Sequence, residues 1–74
     1  MDYVEALEEI GNEQHFEVTF VDVEEISKRG LYQCMVQLST VPVAVCFGDD
    51  EDATQAKQAA ARDALDYLKL MTRK

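Results

Sequence analysis

Few side chains in this sequence have the type and spacing that chemistry needs. Cys34 and Cys46 are its only cysteines and His15 its only histidine. That is too few for an ordinary zinc site, and neither a CxxC pair nor a nucleophile with a base at a diagnostic spacing is present. The cysteines therefore read as small core hydrophobes, ahead of disulfide or reactive roles, and His15 as a surface or helix-end residue. The run Asp49, Asp50, Glu51, Asp52 gathers hard oxygen ligands. It lacks the alternating spacing and glycine of a calcium loop, so helix capping and solvation explain it better. No metal, no cofactor and no enzymatic activity are expected. Lys28, Arg29 and Lys57 are candidates for phosphate contact. Fifteen acids against seven bases leave a net charge of −8, and isolated bases on such a chain read as solvated loop and helix positions. A phosphate backbone approaching this surface meets repulsion.

The elements that must hold these residues follow from periodicity. Residues 2–14 read as a helix: Val4, Leu7 and Ile10 share a face flanked by Tyr3, while Glu5, Glu8, Glu9 and Glu13 point elsewhere. Asp2 followed by Glu5 is a capping-box start, and Gly11 and Asn12 predict an early end. From Phe16 the period becomes two. Phe16, Val18, Phe20 and Asp22 alternate with Glu17, Thr19, Val21 and Val23, which predicts a strand. Residues 24–30, EEISKRG, read as a loop. Tyr32, Cys34, Val36 and Leu38 then alternate with Gln33, Met35 and Gln37 as a second strand. After a turn over 39–42, residues 43–47 form a third strand ended by Gly48, and Pro42 at its start marks it as an edge. Asp52 with Gln55 makes a capping box for a helix running to about residue 71. Its buried stripe is Ala56, Ala60, Ala64 and Leu68, with Ala61, Leu65 and Tyr67 as shoulders. Alanines on that side predict close approach to the sheet. The expected architecture is α+β, in the order α-β-β-β-α, with a three-stranded antiparallel sheet and both helices on one face.

With 74 residues, 47% of them hydrophobic, the chain reads as one small domain over 1–74 that folds with modest stability. It carries no apolar run of membrane-span length, and its acidic start lacks the flank of a signal peptide. An intracellular, cytoplasmic location is expected, for a whole protein or for a fragment of a larger one.

This order, closed by AKQAAARDALDYL at 56–68, resembles the double-stranded RNA-binding domain along the whole chain. The pattern is similar to a subgroup, the third such domain of Dicer partner proteins of the Loquacious, TAR RNA-binding protein and protein activator of PKR family, with Loquacious nearest. The resemblance lies in DYVEALEEI at 2–10, FEVTFVDVEE at 16–25, QCMVQLSTVPVAVCFG at 33–48 and ALDYLKLMTRK at 64–74. Phe47 stands where the family has histidine, and the acidic run 49–52 is unusual even for the subgroup.

The resemblance implies three RNA-contacting regions: the first helix, the loop between the first two strands, and a KKxAK cluster opening the last helix. Mapped onto this chain, the two leading lysines become Ala53 and Thr54, and only Lys57 remains. The loop lacks the family's pattern, and the first helix turns glutamates outward. The clamp that grips A-form RNA by phosphate and 2′-hydroxyl contacts is thus degenerate. The subgroup implies instead a protein-binding module that docks on the helicase region of Dicer in small-RNA processing and homodimerises through the third strand. The alternative is a residual RNA-binding domain acting with neighbouring domains.

The residues allow the first reading. Val43, Ala44, Val45, Cys46 and Phe47 form an uncharged edge with nothing to block strand addition. Met35, between Gln33 and Gln37, faces away from the helices, as an interface residue or a lone surface methionine. One parity of the third strand must face the helices. A charge at Val45 therefore either weakens association or unfolds the domain, and the sequence leaves both open.

Overall fold

The computed structural model describes residues 2–23 and 30–72. They fold in the order α1 (Tyr3–Gln14), β1 (Val18–Val23), β2 (Tyr32–Leu38), β3 (Ala44–Asp50) and α2 (Ala53–Thr72). Asp2 opens α1 as its spacing predicts: its carboxylate accepts the Glu5 N–H at 3.1 Å, satisfying one of the donors a helix start leaves over. The helix does not end early. It runs through Gly11 to Gln14, and His15 closes it in the left-handed conformation (φ 61°). Gly11 is buried, and a Cβ there would lie 2.9 Å from the Phe16 carbonyl oxygen and 3.1 Å from Val18 Cγ2. The glycine lets the chain fold back closely from α1 into β1. Its packing value outweighs its low helix propensity.

The sheet order is β1-β2-β3 with antiparallel neighbours. Both helices lie on one face. β2 turns Cys34, Val36 and Leu38 inward and β3 turns Ala44 and Cys46 inward, where they meet Leu7 of α1 and Ala56, Ala60, Ala61 and Ala64 of α2. Phe16, Val18, Phe20, Leu65, Tyr67 and Leu68 pack around this core. Regular β1 starts at Val18, two residues later than the alternation predicts, although Phe16 keeps the expected side.

The alanine stripe does what its small side chains permit. α2 lies so close to β3 that a Cβ on Gly48 would run into the backbone at Ala60 N, with Ala59 C at 2.6 Å and Ala56 O at 2.7 Å. Gly48 therefore ends nothing; β3 continues to Asp50, and the glycine is the place where a strand slides beneath a helix. Asp49 and Asp50 accordingly belong to the strand. Asp52 caps α2 by accepting the Thr54 N–H at 2.8 Å, rather than through the expected reciprocal box with Gln55. Asp50 holds that corner by accepting the Asp52 N–H at 3.1 Å. Of the expected loop 24–30, only Gly30 lies among the described residues.

Candidate protein interface

Strand parity sorts the expected interface residues into two groups. Ala44 and Cys46 are buried against the helices. Their side chains belong to the core, and what they can offer a partner is edge backbone. Val43, Val45 and Phe47 point the other way and are 58%, 47% and 51% exposed. Gln33 and Gln37 are exposed on the same face, with Met35 half-buried between them. β3 is a terminal strand of the sheet, as Pro42 predicts.

The register adds a residue that single-strand patterning missed. Val21 pairs with Met35, and Met35 with Phe47. Together they form a wholly apolar row across all three strands on the face away from the helices, with Val21 43% exposed. The next row is Thr19, Gln37 and Val45. On the other side lies the row that pairs Gln33 with Asp49. An apolar centre bordered by mostly uncharged polar side chains is the composition of a protein interface core, and larger exposed apolar patches mark such sites. Alternation within β1 placed Val21 outward, but only the inter-strand register sets it beside Met35.

The buried thiols offer no chemistry to a partner. Burial first, and then the Asp22 carboxylate, push Cys34 above its ordinary pKa; burial and Asp63 do the same for Cys46. Both stay protonated and poorly nucleophilic at neutral pH.

The opposite layer carries the positions at which the resemblance expects an RNA clamp. Ala53 and Thr54 are exposed at the start of α2 and bring no charge. Lys57 is half-buried and lays its ammonium 4.9 Å from the centre of the Phe20 ring, a cation–π contact that ties it to the domain's own surface. Gln58, on the polar side of α2, joins the two helices. Its carbonyl oxygen accepts the Tyr3 N–H at 2.8 Å and the Val4 N–H at 3.4 Å, and its amide donates to Asp2 at 3.0 Å. These bonds, Gln58 first and then the Glu5 N–H, hold the Asp2 carboxyl below its usual pKa. Beside this clasp, a cleft of about 370 Å³ is lined by Asp50, Asp63 and Asp66 with Arg62 as its base. Glu5, Glu8, Glu9 and Glu13 are exposed along α1. The helix layer thus presents a surface rich in carboxylates.

No protein-family model matches the chain. It is 53% identical over its full length to Protein Loquacious of Drosophila melanogaster. Over 95% of its length it is 46% identical to the interferon-inducible double-stranded RNA-dependent protein kinase activator A of Bos taurus. Over 93% it is 46% identical to the RISC-loading complex subunit tarbp2 of Danio rerio. The chain spans 16%, 22% and 20% of those proteins. Among solved structures it resembles the Miranda/Staufen dsRBD5 complex, with a TM-score of 0.85 and 27% identity, covering 95% of this chain and 99% of that one. The α-β-β-β-α arrangement is therefore the double-stranded RNA-binding-domain fold.

Proposed function

We propose, on the premise that the chain is homologous to the double-stranded RNA-binding domain of Loquacious and its relatives, that it is a protein-interaction module of a Dicer partner protein. In this reading it docks on the helicase region of Dicer, pairs with a second copy through β3, and binds duplex RNA weakly or not at all.

One observation carries the reading: the start of α2 offers Ala53 and Thr54 where a phosphate clamp needs cations, and Lys57 is engaged over Phe20. Counterion release drives such binding, and a neutral side chain at a clamp position releases none. The apolar row on the outer face and the uncharged β3 edge supply a protein-binding surface in its place. A fold neighbour taken in complex with the protein Miranda fits the same use of the scaffold.

The test is a pull-down of the isolated chain against a Dicer helicase fragment, paired with a duplex-RNA titration. Capture of the fragment with no saturable RNA binding supports the proposal. Tight, salt-sensitive RNA binding that falls on Lys57→Ala would establish the residual RNA-binding alternative. Self-association without capture would leave a dimerisation module only.

A further inference from the structure

The sheet has a second edge. β1 is its other terminal strand, and the run Val18–Val23 holds no proline, glycine or lysine to close that edge to strand addition. The pairing with β2 fixes which backbone groups stand open there. Glu17 and Ser39 form a bonded pair, because the Glu17 carbonyl oxygen accepts the Ser39 N–H at 3.0 Å, and bonded and non-bonded pairs alternate along an antiparallel ladder. Thr19 and Val21 are therefore the residues bonded to Gln37 and Met35. Val18, Phe20 and Asp22 turn their N–H and C=O groups to the edge, and among the described residues none takes them up.

The surroundings of those three residues say what an added strand must carry. Its side chains opposite Val18, Phe20 and Asp22 share their side of the sheet, the side of the helices. Beside Val18 lies a cleft of about 220 Å³ between α1 and β1, lined by Glu8, Asn12, Phe16 and Val18. Phe16 and Val18 are half-buried and give it apolar walls, while the exposed Glu8 and Asn12 bring a carboxylate and an amide. A side chain with a long apolar stem and a cationic head matches that lining. Four residues on, the single charge of β1, the exposed Asp22, favours a second base. Between them the Lys57 ammonium lies 4.9 Å from the centre of the Phe20 ring, which disfavours a third. A second copy does not fit this edge. Pairing β1 with β1 about Phe20 sets Asp22 of one copy opposite Val18 of the other, beside Glu8, and like charges meet.

We infer that the β1 edge takes an extended, basic segment of a partner protein as a fourth strand, with an arginine or lysine in the Glu8 cleft opposite Val18, a second base opposite Asp22 and an uncharged residue between them. The contact goes beyond the Dicer reading and does not rest on it, since it leaves β3 and the outer face open.

The probes are three synthetic peptides about nine residues long, rich in valine and threonine. One carries arginines four positions apart, the second glutamates at the same places, and the third is the arginine peptide with its edge-facing amides N-methylated, so that it cannot donate to a ladder. Backbone amide shifts and hydrogen exchange of the 74-residue chain are followed by NMR. The arginine peptide is expected to shift Val18, Phe20 and Asp22, to slow exchange of their amides, and to bind about tenfold more tightly than its glutamate twin. The N-methylated peptide should lose that binding. Glu8→Gln should lower the preference for arginine, whereas Glu9→Gln makes the same change in net charge outside the cleft and should keep it. Equal binding of the arginine and glutamate peptides overturns the inference, as does binding of neither. So does undiminished binding of the N-methylated peptide, which would mean that no strand is added, or a preference lowered equally by both variants, which would report general attraction to an acidic molecule. Shifts centred on β3 instead of β1 overturn it as well.

Discussion

At the scale of single residues, orientation decides what a substitution costs. Val45 and Met35 lie on the outer face, so Val45→Arg or Met35→Arg should weaken partner capture or self-association at least tenfold, about 1.4 kcal/mol, with an unchanged circular dichroism spectrum. A simultaneous loss of helix signal would contradict that placement. Gly48→Ala is the opposite case. Its added methyl meets backbone atoms of α2, which cannot turn aside as a side-chain tip can. Destabilisation of about 2 kcal/mol or more is expected in urea unfolding. The thiols report on the core: both are protonated at neutral pH, so alkylation should be slow in the folded chain and fast in denaturant. Their raised folded-state pKa values also give the pH dependence its sign. Stability is fully present below the ordinary thiol pKa and is lost as pH rises through the folded value.

At the scale of elements, the clasp between α1 and α2 is the contact most worth breaking. Gln58→Ala removes an acceptor for two N–H groups and a donor to Asp2. It should cost about 1–2 kcal/mol of thermal or urea stability, and a much smaller loss would mean that water replaces the cap. This clasp also marks the limit of what the sequence discloses. Helices and strands are legible because Val4, Leu7 and Ile10, or Cys34, Val36 and Leu38, repeat with the period of their element. Gln58 is not, since a polar residue on a polar helix face looks the same whether it meets solvent or the start of another helix. Gly11 and Gly48 mislead for a related reason. Local propensity treats glycine as a terminator, whereas both positions are set by a chain passing close by. The Val43, Val45, Phe47 parity and the Val21, Met35, Phe47 row depend on register, which only the assembled sheet supplies.

At the scale of the whole molecule, two faces of one scaffold have been pushed apart in chemistry. The helix layer keeps its packing stripe of alanines while its outer surface carries glutamates, aspartates and an engaged Lys57. The sheet layer has an open edge and an apolar, nearly uncharged outer surface. A net charge of −8 then opposes polyanions and favours partners that bring apolar or basic groups. The most direct measurement is a titration of fluorescent duplex RNA with the 74-residue chain at low salt, where electrostatic binding is strongest. No saturable anisotropy change is expected up to high micromolar protein. Submicromolar binding that weakens steeply as salt is raised would contradict a scaffold turned from RNA to protein partners.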